Sequence, residues 1–241
     1  MMPVSTRCLV VLAGMAFAMA VAAPAPAAPN LSSDFSAEVT VTRLDFKPRG
    51  VPQRHSWTEW QGGKLSRFDV FDDAAILTKR MFRYPADNLL TMCDGAPFVV
   101  PPPGKKGKEY TWDLTKQKCK KKGIPKKDLR PVPRIDPNGF FAFASQASNA
   151  GACTSRVGSN SGTLWTYQLP ESKLHKFTRV SVCVAGNNTT PYWVAFDGPS
   201  RRCATSPCEI VGIVFLTYSP GVPAAAQFCP DATIAAACKV P

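Results

Sequence analysis

Two histidines, His55 and His175, are the natural candidates for a general base in this 241-residue sequence. His55 lies in the polar stretch Gln53-Arg54-His55-Ser56-Trp57 before a turn, and His175 lies among Glu171, Lys173 and Lys176. Neither context is that of a catalytic base. No G-x-S-x-G elbow, H-E-x-x-H helix, P-loop or EF-hand pattern occurs. Glu38, Glu59, Asp69 and Asp72 are the acids that could converge for glycoside hydrolysis, although strand carboxylates are far more often solvated surface groups. The expectation is therefore a protein without catalytic residues, cofactor or metal.

Cysteine carries the next chemistry. Nine are present, and setting aside Cys8 in the leader leaves Cys93, Cys119, Cys153, Cys183, Cys203, Cys208, Cys229 and Cys238. An even number in an oxidising compartment reads as up to four disulfides, with the pairing open. The alternative, zinc, has little support: only Cys203 and Cys208 form a short pair, and no histidine lies near it. Arg7 precedes an unbroken 16-residue apolar run, Cys8 to Ala23, followed by Ala/Pro-rich sequence. That is the layout of a secretory signal peptide over residues 1–23, extending to 27 if cleavage follows Ala27. The run is shorter than the roughly 20 residues of a spanning helix. Residues 31–241 are then one domain, secreted to the extracellular space or to the lysosomal lumen. Asn30, Asn187 and Asn188 head N-x-[ST] triplets and are candidate glycosylation sites.

The formal net charge of +12 is concentrated between Lys105 and Arg134, where the net is +9. Lys105, Lys106, Lys108, Lys120, Lys121, Lys122, Lys126, Lys127 and Arg130 are the candidates for meeting an anionic membrane surface or an acidic glycan. Nucleic acid is not expected, because only Tyr110 and Trp112 are available for stacking and no binding fold surrounds them. A solvated basic loop is the plainer interpretation.

The elements that must position these groups are mostly strands. Phe35 to Thr42 alternates strictly, and the parity slips near Arg43, where a bulge is expected. Gly62-Gly63 marks a turn before Leu65 to Phe71, and Ala75 to Tyr84 follows as another strand. Glu109 to Leu114, Phe140 to Ala144, Thr163 to Leu169, Phe177 to Val184, Tyr192 to Phe196 and Ile210 to Tyr218 are further strands, the last apolar on both faces and so central. Pro97 to Gly107 and Lys120 to Pro137 read as basic loops, and Glu171 to Lys176 as a helical turn. About nine or ten antiparallel strands result. Aromatics crowd the second half, and Phe140, Phe141, Phe143, Trp165, Tyr167, Trp193 and Phe196 are the candidates for lining a hydrophobic pocket, or for filling a core.

From Glu109 onward the order of features resembles the ependymin family. The residues are Tyr110-Thr111-Trp112-Asp113-Leu114 leading to Cys119-Lys120-Lys121, then Val132 to Phe143, Val157-Gly158-Ser159, Leu164-Trp165-Thr166-Tyr167, Thr178 to Val184 with Cys183, Ile210 to Phe215, and Gln227-Phe228-Cys229-Pro230. The match covers about half the chain, and Cys153, Cys203, Cys208 and Cys238 depart from the family pattern. The resemblance implies two stacked, curved antiparallel sheets, a half-barrel or sandwich like that of the bacterial LolA lipoprotein carriers, with a hydrophobic pocket and homodimer formation. It also implies binding of lipids or other amphiphiles, with calcium and cell adhesion as further family associations. Calcium is not supported by the residues, which form no acidic loop. A secreted lipid carrier is the leading expectation, and an adhesion protein holding acidic glycans through its basic loops is the second.

Overall fold

A computed structural model of the chain describes residues 27–45, 49–60, 65–84, 93, 107–123, 139–171, 176–200 and 208–238. The leader, Gly62-Gly63, most of Pro97 to Gly107, most of Lys120 to Pro137 and His175 lie outside the described residues.

The first run of strands is β1 (Phe35–Arg43), β2 (Gln53–Trp60), β3 (Leu65–Phe71), β4 (Leu77–Tyr84), β5 (Lys108–Asp113) and β6 (Lys118–Gly123). The second is β7 (Ser148–Thr154), β8 (Ser161–Gln168), β9 (Arg179–Ala185), β10 (Pro191–Gly198) and β11 (Cys208–Pro220). Each run is a meander, and the two join where β11 returns to pair with β1, giving one antiparallel sheet ordered β6-β5-β4-β3-β2-β1-β11-β10-β9-β8-β7. The mostly β, curved, disulfide-stapled architecture is as expected, in its half-barrel form: among the described residues, one open sheet of eleven strands.

Short polar residues close the hairpins. Asp72 Oδ1 accepts from the backbone N–H of Ala74 and Ile76 between β3 and β4, and Asn187 Oδ1 accepts from Thr189 N–H between β9 and β10. These are Asx turns, in which a side-chain oxygen stands in for a backbone carbonyl.

Strand parity gives the sheet two faces. Phe35, Ala37, Val39 and Val41 of β1 turn inward, opposite Trp57 and His55 of β2 on one side and Ile213 and Phe215 of β11 on the other. Val180, Val182 and Val184, with Val194 and Phe196, continue this inner face. The outer face of β3 to β6 carries a second core, in which Leu65, Phe82, Tyr110 and Trp112 lie under Phe228, Ile234 and Cys238. The covering segment ends in helix α1 (Ala232–Cys238) and is bound down by Cys93–Cys229 and Cys119–Cys238. Cys153–Cys183 ties β7 to β9. Cys208 is also disulfide-bonded, to a partner outside the described residues.

Several sequence expectations need correction. Phe140 to Ala144 is not a strand but a turn leading into a 3-10 helix, Ala142–Gln146. Phenylalanines at 140, 141 and 143 break strand alternation and suit a segment packed from several sides. Lys120 to Gly123 belongs to β6 rather than to a loop; as an edge strand exposed on both faces it has no apolar pattern, and its lysines discourage further strand addition. The stretch around His55 is strand β2, not a polar approach to a turn. The bulge expected near Arg43 lies between Glu38 and Val39 against β11, where Leu216 is skipped.

Gly162 on β8 is a position that tolerates no side chain, because a Cβ there would overlap the backbone carbonyl of Val184. Gly162→Val should lower stability by about 1–3 kcal/mol, read as a reduced thermal midpoint.

Candidate functional site: the aromatic-covered inner face

The inner face is roofed by residues 139–147, an irregular aromatic segment. The Phe140 ring lies 4.7 Å from Trp57 on β2 and 6.1 Å from Phe196 on β10. Two strands, β1 and β11, separate these partners, and neighbouring strands stand about 4.8 Å apart, so one ring reaches both only because the face is concave. Phe141 sits within 5.8–6.0 Å of Phe35, Phe215 and Tyr218, and Phe143 stacks on Tyr167 at 6.4 Å. Edge-to-face and offset geometries of this kind add to simple area burial. The segment holds few hydrogen bonds to the sheet side, among them Phe141 N–H to Ser33 Oγ at 3.3 Å.

Of the expected pocket residues, Phe140, Phe141, Phe143, Trp165 and Phe196 meet in this one cluster, with Tyr167 half-buried at its margin. Trp193 does not join them. Val194 and Phe196 face inward, so strand alternation turns Trp193 out, where its Nε1 donates to Thr154 O at 2.9 Å and Arg156 lies 4.4 Å above the ring. Sequence reasoning missed Phe35, Trp57, Phe68, Phe215 and Tyr218, which supply much of the aromatic surface. The alternation of β1 could have flagged Phe35; Trp57 and His55 are hidden among polar neighbours.

Polar groups on this face are few. Trp57 Nε1 donates to Glu59 Oε2 at 2.9 Å, and Tyr218 Oη donates to Ser32 O at 2.8 Å, while burial pushes the Tyr218 phenol well above its ordinary range. His55 is 1% exposed, and neither Nδ1 nor Nε2 has a hydrogen-bond partner; Trp165 Nε1 also lacks one. Burial lowers the His55 pKa to about 4 from an ordinary 6.5. Below pH 6.5 the unfolded chain takes up a proton that the folded one refuses, so stability present at neutral pH is lost progressively as pH falls toward 4. The loss should reach about 3 kcal/mol and be abolished in His55→Leu, as measured by denaturant unfolding across that range.

The four acids do not converge. Glu38 pairs with Arg54 at 2.6 Å on the exposed outer side, Glu59 serves Trp57 on the inner face, Asp69 is held on the outer face by Arg67 and Arg80, and Asp72 closes its turn. Among the described residues no three His, Cys, Asp or Glu side chains gather as metal ligands, and no helix is long and apolar enough to cross a membrane.

Three of the basic candidates, Lys120, Lys121 and Lys122, lie on the β6 edge. Lys120 and Lys122 share one side of the strand with Lys118, and Lys121 lies on the other, 5.3 Å over the Tyr110 ring. Lys122 also reaches the fully buried Glu109 at 2.7 Å, whose second oxygen accepts from Arg83 Nε at 2.6 Å. Lys108 lies on β5, and Lys105, Lys106, Lys126, Lys127 and Arg130 lie outside the described residues. Asn187 is exposed in the β9–β10 turn; Asn188 beside it is half-buried, with Nδ2 donating to Ala27 O at 3.2 Å and its own carbonyl accepting from Asn30 N–H at 2.9 Å.

No family model and no curated protein matches the sequence. Solved structures with a related course include an uncharacterised conserved protein from Thermus thermophilus, at 9% identity and TM-score 0.43, with 84% of this chain and 88% of that one covered. A LolA-superfamily protein from Nitrosomonas europaea shares 10% identity at TM-score 0.34, covering 82% and 90%. A putative outer membrane lipoprotein-sorting protein domain from Vibrio parahaemolyticus shares 8% at TM-score 0.33, covering 77% and 84%. At these identities and scores, neither ligand nor activity passes from those proteins to this chain.

Proposed function

We propose that this chain is a secreted, non-enzymatic carrier that holds the hydrocarbon part of a lipid or other amphiphile against the inner face of its sheet, with residues 139–147 as the displaceable cover. The observation that carries the proposal is the cover itself: three phenylalanines on an irregular segment close an apolar concave face that, among the described residues, no strand or long helix seals. The ordered resemblance to the ependymin family supports the same function, and the disulfides suit an oxidising, extracellular compartment. The lysines of β6 would meet an anionic head group or membrane surface.

The energies allow an exchange. Exposing Phe140, Phe141 and Phe143 would cost about 6 kcal/mol at roughly 2 kcal/mol each. A 16-carbon chain buried in their place would contribute about 13 kcal/mol before ordering costs. Titration with an environment-sensitive alkyl fluorophore tests the proposal. Wild-type protein should bind it saturably, and Phe141→Ala, whose cover is held less tightly, should bind at least as well. No uptake by either would leave a filled core.

The β6 lysines favour a second function, adhesion to acidic polysaccharide. A heparin column would then retain protein that takes up no alkyl probe, with elution at moderate salt.

A further inference from the structure

We propose that His55 anchors an uncharged hydroxyl head group, which makes the ligand a neutral, hydroxyl-bearing amphiphile such as a long-chain alcohol or a monoacylglycerol. This rests on the carrier function proposed above and names its ligand class.

Most polar points of the inner face have partners within the chain, among them the buried Arg83 on β4, which is paired with Glu109 on β5 at the far end of the strands from His55. Trp57 and Tyr218 donate to Glu59 and to Ser32 O, respectively. His55 has no partner for either ring nitrogen although it is 1% exposed. Buried polar atoms in folded proteins are nearly always hydrogen-bonded, and each exception calls for an account. Trp165 Nε1 is a second unpaired donor on the same face, reached from the His55 side across β1, β11, β10 and β9. Two unpaired polar groups on one apolar face fit a ligand that is mostly hydrocarbon and carries a little oxygen.

The surroundings of His55 decide the charge of that oxygen. Val39 on β1 and Val70 on β3 flank it directly, and Gln53 and Trp57 share its side of β2. The next cation in its cross-strand row is Lys79 on β4, exposed and beyond Val70. Glu38 and Asp69 on the neighbouring strands, and Arg54 on β2 itself, lie on the outer face. A carboxylate or phosphate placed at His55 would therefore be buried without a counter-charge. A neutral imidazole offers one donor and one acceptor, and a hydroxyl complements either nitrogen, whichever tautomer is present.

The test compares 1-tetradecanol with pentadecane, which has the same number of heavy atoms, as competitors for the bound alkyl fluorophore at pH 7.4. Wild-type protein should favour the alcohol by about tenfold, the equivalent of one net hydrogen bond. In His55→Leu the preference should reverse, with the alcohol binding no better than pentadecane, because its hydroxyl would then be buried without a partner. His55→Leu should fold with an equal or higher thermal midpoint, since it removes an unpaired buried group, and His55→Phe serves as the second variant. Retention of the alcohol preference in both variants would overturn the anchor while leaving the carrier standing. A wild-type preference for myristate over the alcohol would overturn the neutral ligand class. Failure of wild-type protein to bind the fluorophore at all would remove the carrier function and the anchor with it.

Discussion

Phe141→Ala is expected to lower the unfolding free energy by about 3–5 kcal/mol, the range for truncating a fully buried phenylalanine. Phe141 is 2% exposed and touches Phe35, Phe140, Phe143, Phe215 and Tyr218, so its removal leaves a cavity at the centre of the cover rather than at its margin. Those partners come from β1, β11 and the cover itself, and β1 and β11 form the seam between the two meanders. The surrounding rings belong to packed strands and have little freedom to collapse into the space. Equilibrium unfolding in urea measures the effect. A loss below about 1 kcal/mol would mean that the cover does not pack on the inner face as described.

The paired substitution Cys119→Ala with Cys238→Ala should destabilise the protein by about 4 kcal/mol. In the chain-entropy description a bridge stabilises by restricting the unfolded chain, more so for longer loops. Cys119 and Cys238 are 119 residues apart, but Cys93–Cys229 already shortens the free path between them to about 35 residues, for which the expected contribution is about 4 kcal/mol. Removing both bridges should cost more than twice as much, because the surviving bridge no longer limits the loop. The second core would be the part most affected, since Phe228 and Ile234 reach Leu65, Phe82, Tyr110 and Trp112 only while the C-terminal segment is held to the outer face. Thermal unfolding of the single-bridge and double-bridge variants separates these contributions.

Strands with one wet and one dry face are legible in the sequence. Phe35, Ala37, Val39 and Val41 alternate with Ser36, Glu38, Thr40 and Thr42, and β1 runs where that pattern places it. β2 is not legible, because its inward residues include His55 and Glu59, and burying polar side chains defeats a pattern built on hydrophobicity. Edge strands fail for a different reason: β6 and β7 are exposed on both faces, so Lys118 to Gly123 and Ser148 to Thr154 have no buried face to show.

The site is half legible for the same reasons. Phe140, Phe141 and Phe143 stand out as an aromatic run, yet nothing local distinguishes a strand from a cover whose shape is dictated by the sheet beneath it. Trp193 and Phe196 lie three apart on one strand, so alternation places them on opposite faces, and aromatic character alone does not separate them. His55 reads as an ordinary polar residue until the register sets it between Val39 and Val70.

The central claim is that the inner face exchanges its aromatic cover for a hydrocarbon chain. Native mass spectrometry of protein secreted from a eukaryotic host and deglycosylated, followed by organic extraction, tests it most directly. An adduct of one amphiphile per chain is expected, lost on extraction and restored by added lipid. Protein that is empty as secreted, and that stays empty when lipid is added, would contradict it and leave the inner face as a core closed by Phe140, Phe141 and Phe143.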